Sequence, residues 1–243
     1  MSGPLADRVA VITGASSGIG KSIAKRFSQA GCAVVLSARR KEKLQALHEE
    51  LESAGAQSVV IPADVTDPEQ VQSLVQESLN RFQKIDILIN NAGFALEKPV
   101  HEADLNDMKA QIDSNLMGVV YGCHAVAPHM VERQDGHIIN IGSICSLQPF
   151  PNYAAYVAAK FGVIGFSRSF YEEVRPHGIR VQTLCPAAVN TEWSDIAGAD
   201  LPWPREERLQ PEDLAEMAFF CVTQPKRVQI DTMIAWPLCE PTT

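Results

Sequence analysis

The chain has 243 residues, 46% of them hydrophobic and 21% charged, which is typical of a globular protein that buries a sizeable core. Its formal net charge of −8 argues against a general nucleic-acid binder, because such proteins carry a basic excess. No apolar run reaches the length of a membrane span and the N-terminus shows no secretory signal, so we expect a cytoplasmic protein without nucleic-acid or membrane partners.

Short apolar runs rich in β-branched residues alternate with segments of helical spacing. The predicted strands cover residues 8–13, 33–37, 58–62, 85–89, 137–142, 179–184 and 228–236, and the predicted helices 21–30, 41–54, 68–82, 105–131, 153–174 and 211–222. Such alternation implies right-handed crossovers and a parallel sheet. We therefore predict an α/β fold: a single doubly wound Rossmann-type domain over residues 1–243, with a seven-stranded parallel sheet and helices on both faces.

One segment, residues 187–210, interrupts this rhythm. Its periodicity is weak, and it contains Trp193 and Trp203. A loop of this length in a compact domain is usually functional or disordered. The two tryptophans favour a substrate loop that closes on an apolar ligand, and the alternative is a mobile surface excursion.

The six cysteines are widely spaced and form no C-x-x-C pair or Cys/His cluster. We expect reduced thiols packed as small apolar side chains. The histidines show no triad or metal-ligand spacing either. No metal site is therefore predicted.

A glycine-rich turn lies between the first predicted strand and the first predicted helix, with glycines at Gly14, Gly18 and Gly20. Small residues let the backbone approach a pyrophosphate, and a helix N-terminus offers free N–H groups and the positive end of a dipole. The spacing is G-x-x-x-G-x-G rather than the common G-x-G-x-x-G. Its place between a strand and a helix favours a dinucleotide site over an ordinary tight turn.

The end of the second predicted strand indicates which dinucleotide is bound. The chain has Ser37, Arg39 and Arg40 there and no acidic residue. An acidic residue at this place binds the ribose 2′-hydroxyl of NAD, whereas arginine accommodates the 2′-phosphate of NADP. We predict NADP(H), with Arg39 as the main ligand and Ser37 or Arg40 assisting; alternatively, Arg40 belongs to the charged surface of the next helix.

Tyr156 and Lys160 stand four residues apart in a predicted helix and so share one face. A nearby ammonium favours the phenolate, so Lys160 is expected to lower the pKa of Tyr156 and make it an acid/base catalyst. Ser143 ends the strand before them. Taken alone, the pair is also compatible with an ordinary amphipathic helix.

Together these motifs resemble those of the short-chain dehydrogenases/reductases. The segment Thr13 to Gly20 is similar to the family's T-G-x-x-x-G-x-G turn, Asn90-Asn91-Ala92-Gly93 to its N-N-A-G, and Tyr156-x-x-x-Lys160 to its active-site motif. Ser143 and Asn115 stand where the family has its serine and its helix asparagine, and Asp64-Val65 resembles the pair beside the adenine. Pro186 to Thr191 is similar to the family's P-G-x-x-x-T, with Ala187 replacing the glycine.

The resemblance implies a role for each of these residues. Tyr156 would be the general acid/base, Ser143 would hydrogen-bond the substrate oxygen, and Lys160 would also bind the nicotinamide ribose. Asn115 would hold a water between Lys160 and solvent. The implied cofactor-binding set is Gly14, Ser16, Ser17, Gly18, Ile19, Gly20, Ser37, Arg39, Arg40, Asp64, Val65, Asn91, Ala92, Gly93, Tyr156, Lys160, Pro186, Val189 and Thr191.

Substrate-binding candidates are chosen by adjacency to the catalytic residues: Ser143, Tyr156, Phe94, Cys145, Gln148 and Trp193. They are mostly apolar, which favours a small or medium ketone, aldehyde or secondary alcohol. A charged substrate stays possible if Arg205 or Arg208 swings in from the loop.

The expected activity is that of an NADP-dependent oxidoreductase acting on a CH–OH group, in the manner of a carbonyl reductase. The C-terminal segment resembles that of family members acting on 3-hydroxy acids such as serine, or on miscellaneous carbonyls, and a serine-type dehydrogenase is the alternative. An alternative of another class is a non-catalytic NADP(H)-sensing regulator on the same fold. The resemblance also implies a homodimer or homotetramer.

Overall fold

The computed structural model describes residues 3–241, and residues 1, 2, 242 and 243 of the predicted domain lie outside the described part. The strands are β1 Val9–Thr13, β2 Ala33–Ser37, β3 Ser58–Val60, β4 Ile87–Asn90, β5 Gly136–Ile141, β6 Ile179–Pro186 and β7 Thr232–Ala235. They form one parallel sheet in the order β3-β2-β1-β4-β5-β6-β7. The predicted seven-stranded parallel sheet is confirmed.

The helices surround this sheet. They are α1 Gly18–Gln29, α2 Lys41–Ser53, α3 Pro68–Phe82, α4 Leu105–Ile112, α5 Gly118–Arg133, α6 Ala154–Val174, α7 Trp193–Ala197 and α8 Pro211–Thr223. Within the described part of the chain, no helix is both long enough and apolar enough to cross a bilayer.

Two hydrophobic clusters form the core, one on each face of the sheet. Successive strand residues point to opposite faces, so Ala10 and Ile12 of β1 pack in one cluster and Val9 and Val11 in the other. The first cluster contains buried residues of α1, α2 and α8, and the second contains buried residues of α3, α5 and α6. Helices therefore cover both faces, as predicted.

The predicted single helix over residues 105–131 differs from the structure. A π-helical turn, Asp113–Met117, separates α4 from α5. The periodicity of apolar residues continues through the segment, which is why the pattern indicates one helix. A π turn contains an extra residue per hydrogen-bonded ring and occurs frequently at functional sites.

The segment 187–210 is only partly irregular. It contains α7 and a 3-10 turn, Arg205–Glu207, and Val189 pairs with Leu209 across it. The loop is thus folded back on itself beside the end of β6.

Candidate active site

The carboxyl ends of the strands open into a cavity of about 650 Å³. β1 and β4 are neighbours in the sheet. The chain runs from β1 to β2 on one side of this pair and from β4 to β5 on the other. The connections that leave β1 and β4 therefore diverge, and such a switch point is where open α/β sheets bind ligands.

Most of the residues predicted for the site line this one cavity. Its walls contain Gly14, Ser16, Ser17, Gly18, Ile19, Arg39, Arg40, Asp64, Val65, Asn91, Ala92, Gly93, Phe94, Asn115, Ser143, Tyr156, Lys160, Pro186, Val189, Thr191 and Trp193.

Four predicted residues lie outside those walls. Gly20 is buried against the backbone of Gly14. Ser37 is fully buried in β2, and its hydroxyl is unpaired among the described residues. Cys145 packs with Tyr156 in a small apolar cluster behind the cavity, and burial raises the pKa of its thiol to about 11. Gln148 donates its backbone N–H to Ile144 and is half-buried.

The glycine turn has the geometry of an anion cradle. Gly18 has φ +52°, in the left-handed region, and a Cβ there would lie 3.0 Å from Thr191 Cγ2. α1 begins at Gly18, and the side chain of its N-cap, Ser17, makes no capping hydrogen bond. The first N–H groups of α1 thus face the cavity without a side-chain cap, which fits the pyrophosphate of a dinucleotide.

The two arginines after β2 are placed differently. Arg40 donates from Nη2 to Ser17 Oγ at 2.6 Å, and from Nε and Nη2 to Ser16 Oγ at 3.2 and 3.0 Å. Its guanidinium therefore lies on the glycine turn, and not on the charged surface of α2. The Arg39 side chain is 73% exposed, and its Nη1 lies 3.8 Å from a carboxylate oxygen of Asp64. The structure thus places the Arg40 guanidinium against the glycine turn, whereas most of the Arg39 side chain is exposed to solvent.

The segment Asp64 to Thr66 closes the same end of the cavity. Asp64 Oδ1 accepts hydrogen bonds from the backbone N–H and the hydroxyl of Thr66, at 3.0 and 2.8 Å. These bonds hold the chain after β3 in a tight turn beside Val65.

Tyr156 and Lys160 face the cavity from α6 and are almost fully buried, with 6% and 5% of their surfaces exposed. Lys160 Nζ donates to the carbonyl of Ile141 at 2.7 Å and lies 5.6 Å from the centre of the Tyr156 ring. Ser143 Oγ accepts from the backbone N–H of Cys145 at 3.1 Å, so its own hydroxyl proton stays available for donation. The three side chains meet at one end of the cavity.

Burial acts on both titratable groups. It raises the pKa of Tyr156 above the usual value for a phenol, and the neighbouring hydroxyl of Ser143 opposes this only in part. It lowers the pKa of Lys160 from 10.5 to about 8. The pKa of Tyr156 therefore moves in the direction opposite to the one predicted from Lys160, because loss of hydration penalises the phenolate more than any neighbour favours it.

Asn115 belongs to the π turn. Its Nδ2 donates to the carbonyls of Phe94 and Gln111 at 2.6 and 2.8 Å, whereas its buried Oδ1 has no partner among the described residues. A Cβ at Gly93 would lie 2.4 Å from Asn115 Oδ1 and 3.9 Å from Lys160 Nζ. The glycine thus lets the backbone run close beside both polar groups, and Oδ1 is free to accept a hydrogen bond.

The end of the cavity beyond Tyr156 is apolar. Trp193 stacks on Tyr153 with ring centres 6.2 Å apart, and its ring centre lies 5.6 Å from that of Tyr156. Tyr153 donates its hydroxyl to Glu97 at 3.0 Å, and burial followed by this bond raises the pKa of Tyr153. Tyr153 is therefore held as a hydrogen-bond donor, away from the acid/base role.

The substitution at Ala187 is accommodated without strain. Ala187 is not among the described residues with positive φ, and its N–H donates to the carbonyl of Ala235 at 2.9 Å. The next N–H, of Ala188, donates to a carboxylate oxygen of Glu240 at 2.9 Å. The C-terminal segment thus supports the loop that begins at Pro186.

Several residues of the cavity walls were not predicted. Thr66, Ser114 and Ala188 each adjoin a predicted residue, so adjacency could have indicated them. Glu192 likewise adjoins Thr191 and Trp193, and Ile196 and Leu201 belong to the predicted substrate loop over residues 187–210.

Comparisons with known proteins agree with this geometry. The family model of short chain dehydrogenases matches residues 8–201. An uncharacterized oxidoreductase of Staphylococcus saprophyticus is 36% identical over 236 residues, covering 96% of this chain and 99% of its own.

Two similar solved structures are dinucleotide complexes. An alcohol dehydrogenase of the archaeon Thermococcus sibiricus with 5-hydroxy-NADP has a TM-score of 0.89 at 28% identity, covering 97% of this chain and 99% of its own. The closed form of a serine dehydrogenase with NADP+ has a TM-score of 0.89 at 34% identity, covering 96% of each chain. The chain is an oxidoreductase and belongs to the short-chain dehydrogenase family.

Proposed function

We propose that this protein transfers a hydride between NADP(H) and a carbonyl or secondary alcohol, with Tyr156 as the general acid/base. The observation that carries the proposal is that Tyr156, Lys160, Ser143 and Asn115 converge at one end of a cavity whose other end is formed by the glycine turn and Arg40. The two dehydrogenases of similar structure are complexes with NADP or its 5-hydroxy derivative, which supports the choice of cofactor.

The residues of the chain divide the chemistry between them. When bound, the nicotinamide supplies or accepts the hydride. Tyr156 Oη gives its proton to the carbonyl oxygen in reduction and takes it from the alcohol in oxidation. Ser143 Oγ donates a hydrogen bond to the same oxygen and stabilises the charge that develops on it.

Lys160 and Asn115 act behind Tyr156. Lys160 Nζ would bind the ribose hydroxyls while remaining on the carbonyl of Ile141. Asn115 Oδ1 would accept a hydrogen bond from a water that links Lys160 to solvent. Burial raises the pKa of Tyr156 and so favours its protonated form, which is the form that donates a proton to a carbonyl oxygen.

The apolar wall favours an uncharged substrate over a 3-hydroxy acid. Arg208 donates to the carbonyls of Trp203 and Leu201, and Arg205 pairs with Asp195. Both arginines are thus held within the loop and away from a substrate carboxylate. The serine-type alternative is supported by the serine dehydrogenase of similar structure.

An activity panel with Tyr156→Phe as the control tests this function. We expect the wild type to oxidise NADPH with small ketones and aldehydes, and the variant to lose about 10²- to 10⁴-fold in rate because the phenolic proton is gone. Reduction of NADP+ with serine and other 3-hydroxy acids tests the alternative in the same assay. Equal inactivity of both proteins on every compound would contradict catalysis and favour a non-catalytic regulator.

We also propose that the protein is cytoplasmic and forms a homodimer or homotetramer. The six cysteines are free thiols, five of them buried, which suits the reducing cytoplasm. Leu105 of α4 and Phe161 of α6 are exposed apolar side chains, consistent with a homodimer or homotetramer. A monomeric mass in light scattering would contradict the assembly.

A further inference from the structure

Glu192 forms an ion-pair bridge at the wall of the cavity, which Glu192 and Arg40 both line. Its Oε2 accepts from Arg40 Nη1 at 2.8 Å, and its Oε1 accepts from Lys43 Nζ at 2.7 Å. Glu192 directly follows Thr191 and precedes α7, whereas the two cations lie at the start of α2. The bridge thus connects the loop over residues 187–210 to the element that follows β2.

The bridge occupies the Arg40 guanidinium, which a 2′-phosphate at this end of the cavity would contact. Arg40 already directs Nε and Nη2 to Ser16 and Ser17, so Nη1 is the nitrogen that remains for an anionic partner. In the structure that partner is the Glu192 carboxylate. A phosphate monoester arriving at Arg40 and Lys43 must therefore displace Glu192 or lie beside a like charge.

We propose that Glu192 is a specificity-determining residue that competes, as an internal anion, with the 2′-phosphate of the coenzyme for Arg40 and Lys43. This inference rests on the proposed function, in which NADP(H) lies with the glycine turn and Arg40 at one end of the cavity, and it places the 2′-phosphate at Arg40. Glu192 thereby lowers the affinity for 2′-phosphorylated nucleotides and leaves nucleotides without that phosphate unaffected.

The bridge is weak enough to be displaced. The side chains of Glu192, Arg40 and Lys43 are 46%, 43% and 47% exposed, and ion pairs at such sites are screened by water. A 2′-phosphate carries up to twice the charge of a carboxylate and offers three acceptor oxygens. The 2′-phosphate therefore displaces the Glu192 carboxylate. The competition from Glu192 reduces the preference for NADP(H) without abolishing it.

Equilibrium calorimetry tests this without an activity measurement. The probes are adenosine 2′,5′-bisphosphate, which carries the 2′-phosphate, and adenosine 5′-monophosphate, which lacks it. For Glu192→Gln we expect the Kd of the bisphosphate to fall about three- to tenfold, the range set by losing two exposed ion pairs, with an unchanged Kd for the monophosphate.

Glu172→Gln is the matched control, because Glu172 also forms an exposed ion pair, with Arg175 at 2.7 Å, and is not part of the cavity walls. It should leave both Kd values unchanged. If Glu192→Gln behaves like Glu172→Gln, or binds the bisphosphate more weakly than the wild type, the role of Glu192 is overturned. If the wild type binds both nucleotides equally, recognition of the 2′-phosphate fails, and the proposed cofactor preference fails with it.

Discussion

Tyr156 and Lys160 show how burial sets the chemistry of single residues. Their spacing places both on one face of α6, yet the carbonyl of Ile141 holds the ammonium 5.6 Å from the centre of the phenol ring. Loss of hydration then raises the pKa of Tyr156 and lowers that of Lys160. The neutral form of each group is favoured, because a charge in an apolar site loses its hydration.

The stability of the protein should depend on pH through Lys160. Its pKa rises from about 8 in the folded protein to 10.5 in the unfolded chain. Between these values the unfolded state binds more protons, so the free energy of unfolding rises with pH, by about 3 kcal/mol in total. We expect about 2 kcal/mol of this rise in the wild type relative to Lys160→Met between pH 7.5 and pH 10, measured by urea unfolding.

The exposed residue Lys41 provides the control for this measurement. Lys41→Met should show the same pH dependence as the wild type, because the Lys41 side chain is exposed to water in the folded protein as well as in the unfolded chain. Identical pH slopes for the wild type and Lys160→Met would contradict the burial argument.

At the scale of elements, the residues at helix ends decide where polar side chains point. The π turn Asp113–Met117 places Asn115 so that its amide nitrogen bonds to Phe94 and Gln111 while its oxygen stays free. Arg40 is the N-cap of α2, and the backbone there turns its side chain back onto the glycine turn. Arg39, one residue earlier, points to solvent.

This difference predicts unequal effects of two substitutions at the start of α2. Arg40→Ala should weaken NADPH binding about tenfold or more, because it removes a charge-assisted contact with the 2′-phosphate. Arg39→Ala should weaken NADPH binding clearly less than Arg40→Ala does. Neither substitution should change the Kd for NADH. Dissociation constants from nucleotide fluorescence decide the matter, and a larger loss for Arg39→Ala would reverse the assignment.

At the scale of the whole molecule, a buried ion-pair cluster and the ligand cavity lie at opposite ends of the strands. The buried carboxylate of Asp86 lies at the amino ends of the strands. It accepts hydrogen bonds from the N–H of Val9 at 2.8 Å and from Arg133 at 3.0 Å. Arg8 and Lys84 lie within 3.6 Å of the same carboxylate. The cavity lies at the carboxyl ends of the strands, where polar groups line a ligand site.

Asp86→Asn should therefore destabilise the fold without affecting the cavity. Loss of the buried charge leaves three cations without their shared partner, and we expect about 2 kcal/mol less free energy of unfolding. The Kd for NADPH should match that of the wild type, since Asp86 is not part of the cavity walls. A parallel loss of nucleotide affinity would show that the two ends of the strands are coupled.

Local chemistry was sufficient to predict the sheet, the glycine turn and the Tyr156–Lys160 pair. Strand and helix periodicity, a turn that needs glycine and a spacing of four residues are properties of neighbours in the chain. The placement of Cys145 and Gln148 outside the cavity walls could not be read from adjacency, because a side chain close in sequence can point to another face. The contact between Arg40 and Glu192 could not be predicted from the sequence either. It joins residues 152 positions apart and exists only once the chain has folded.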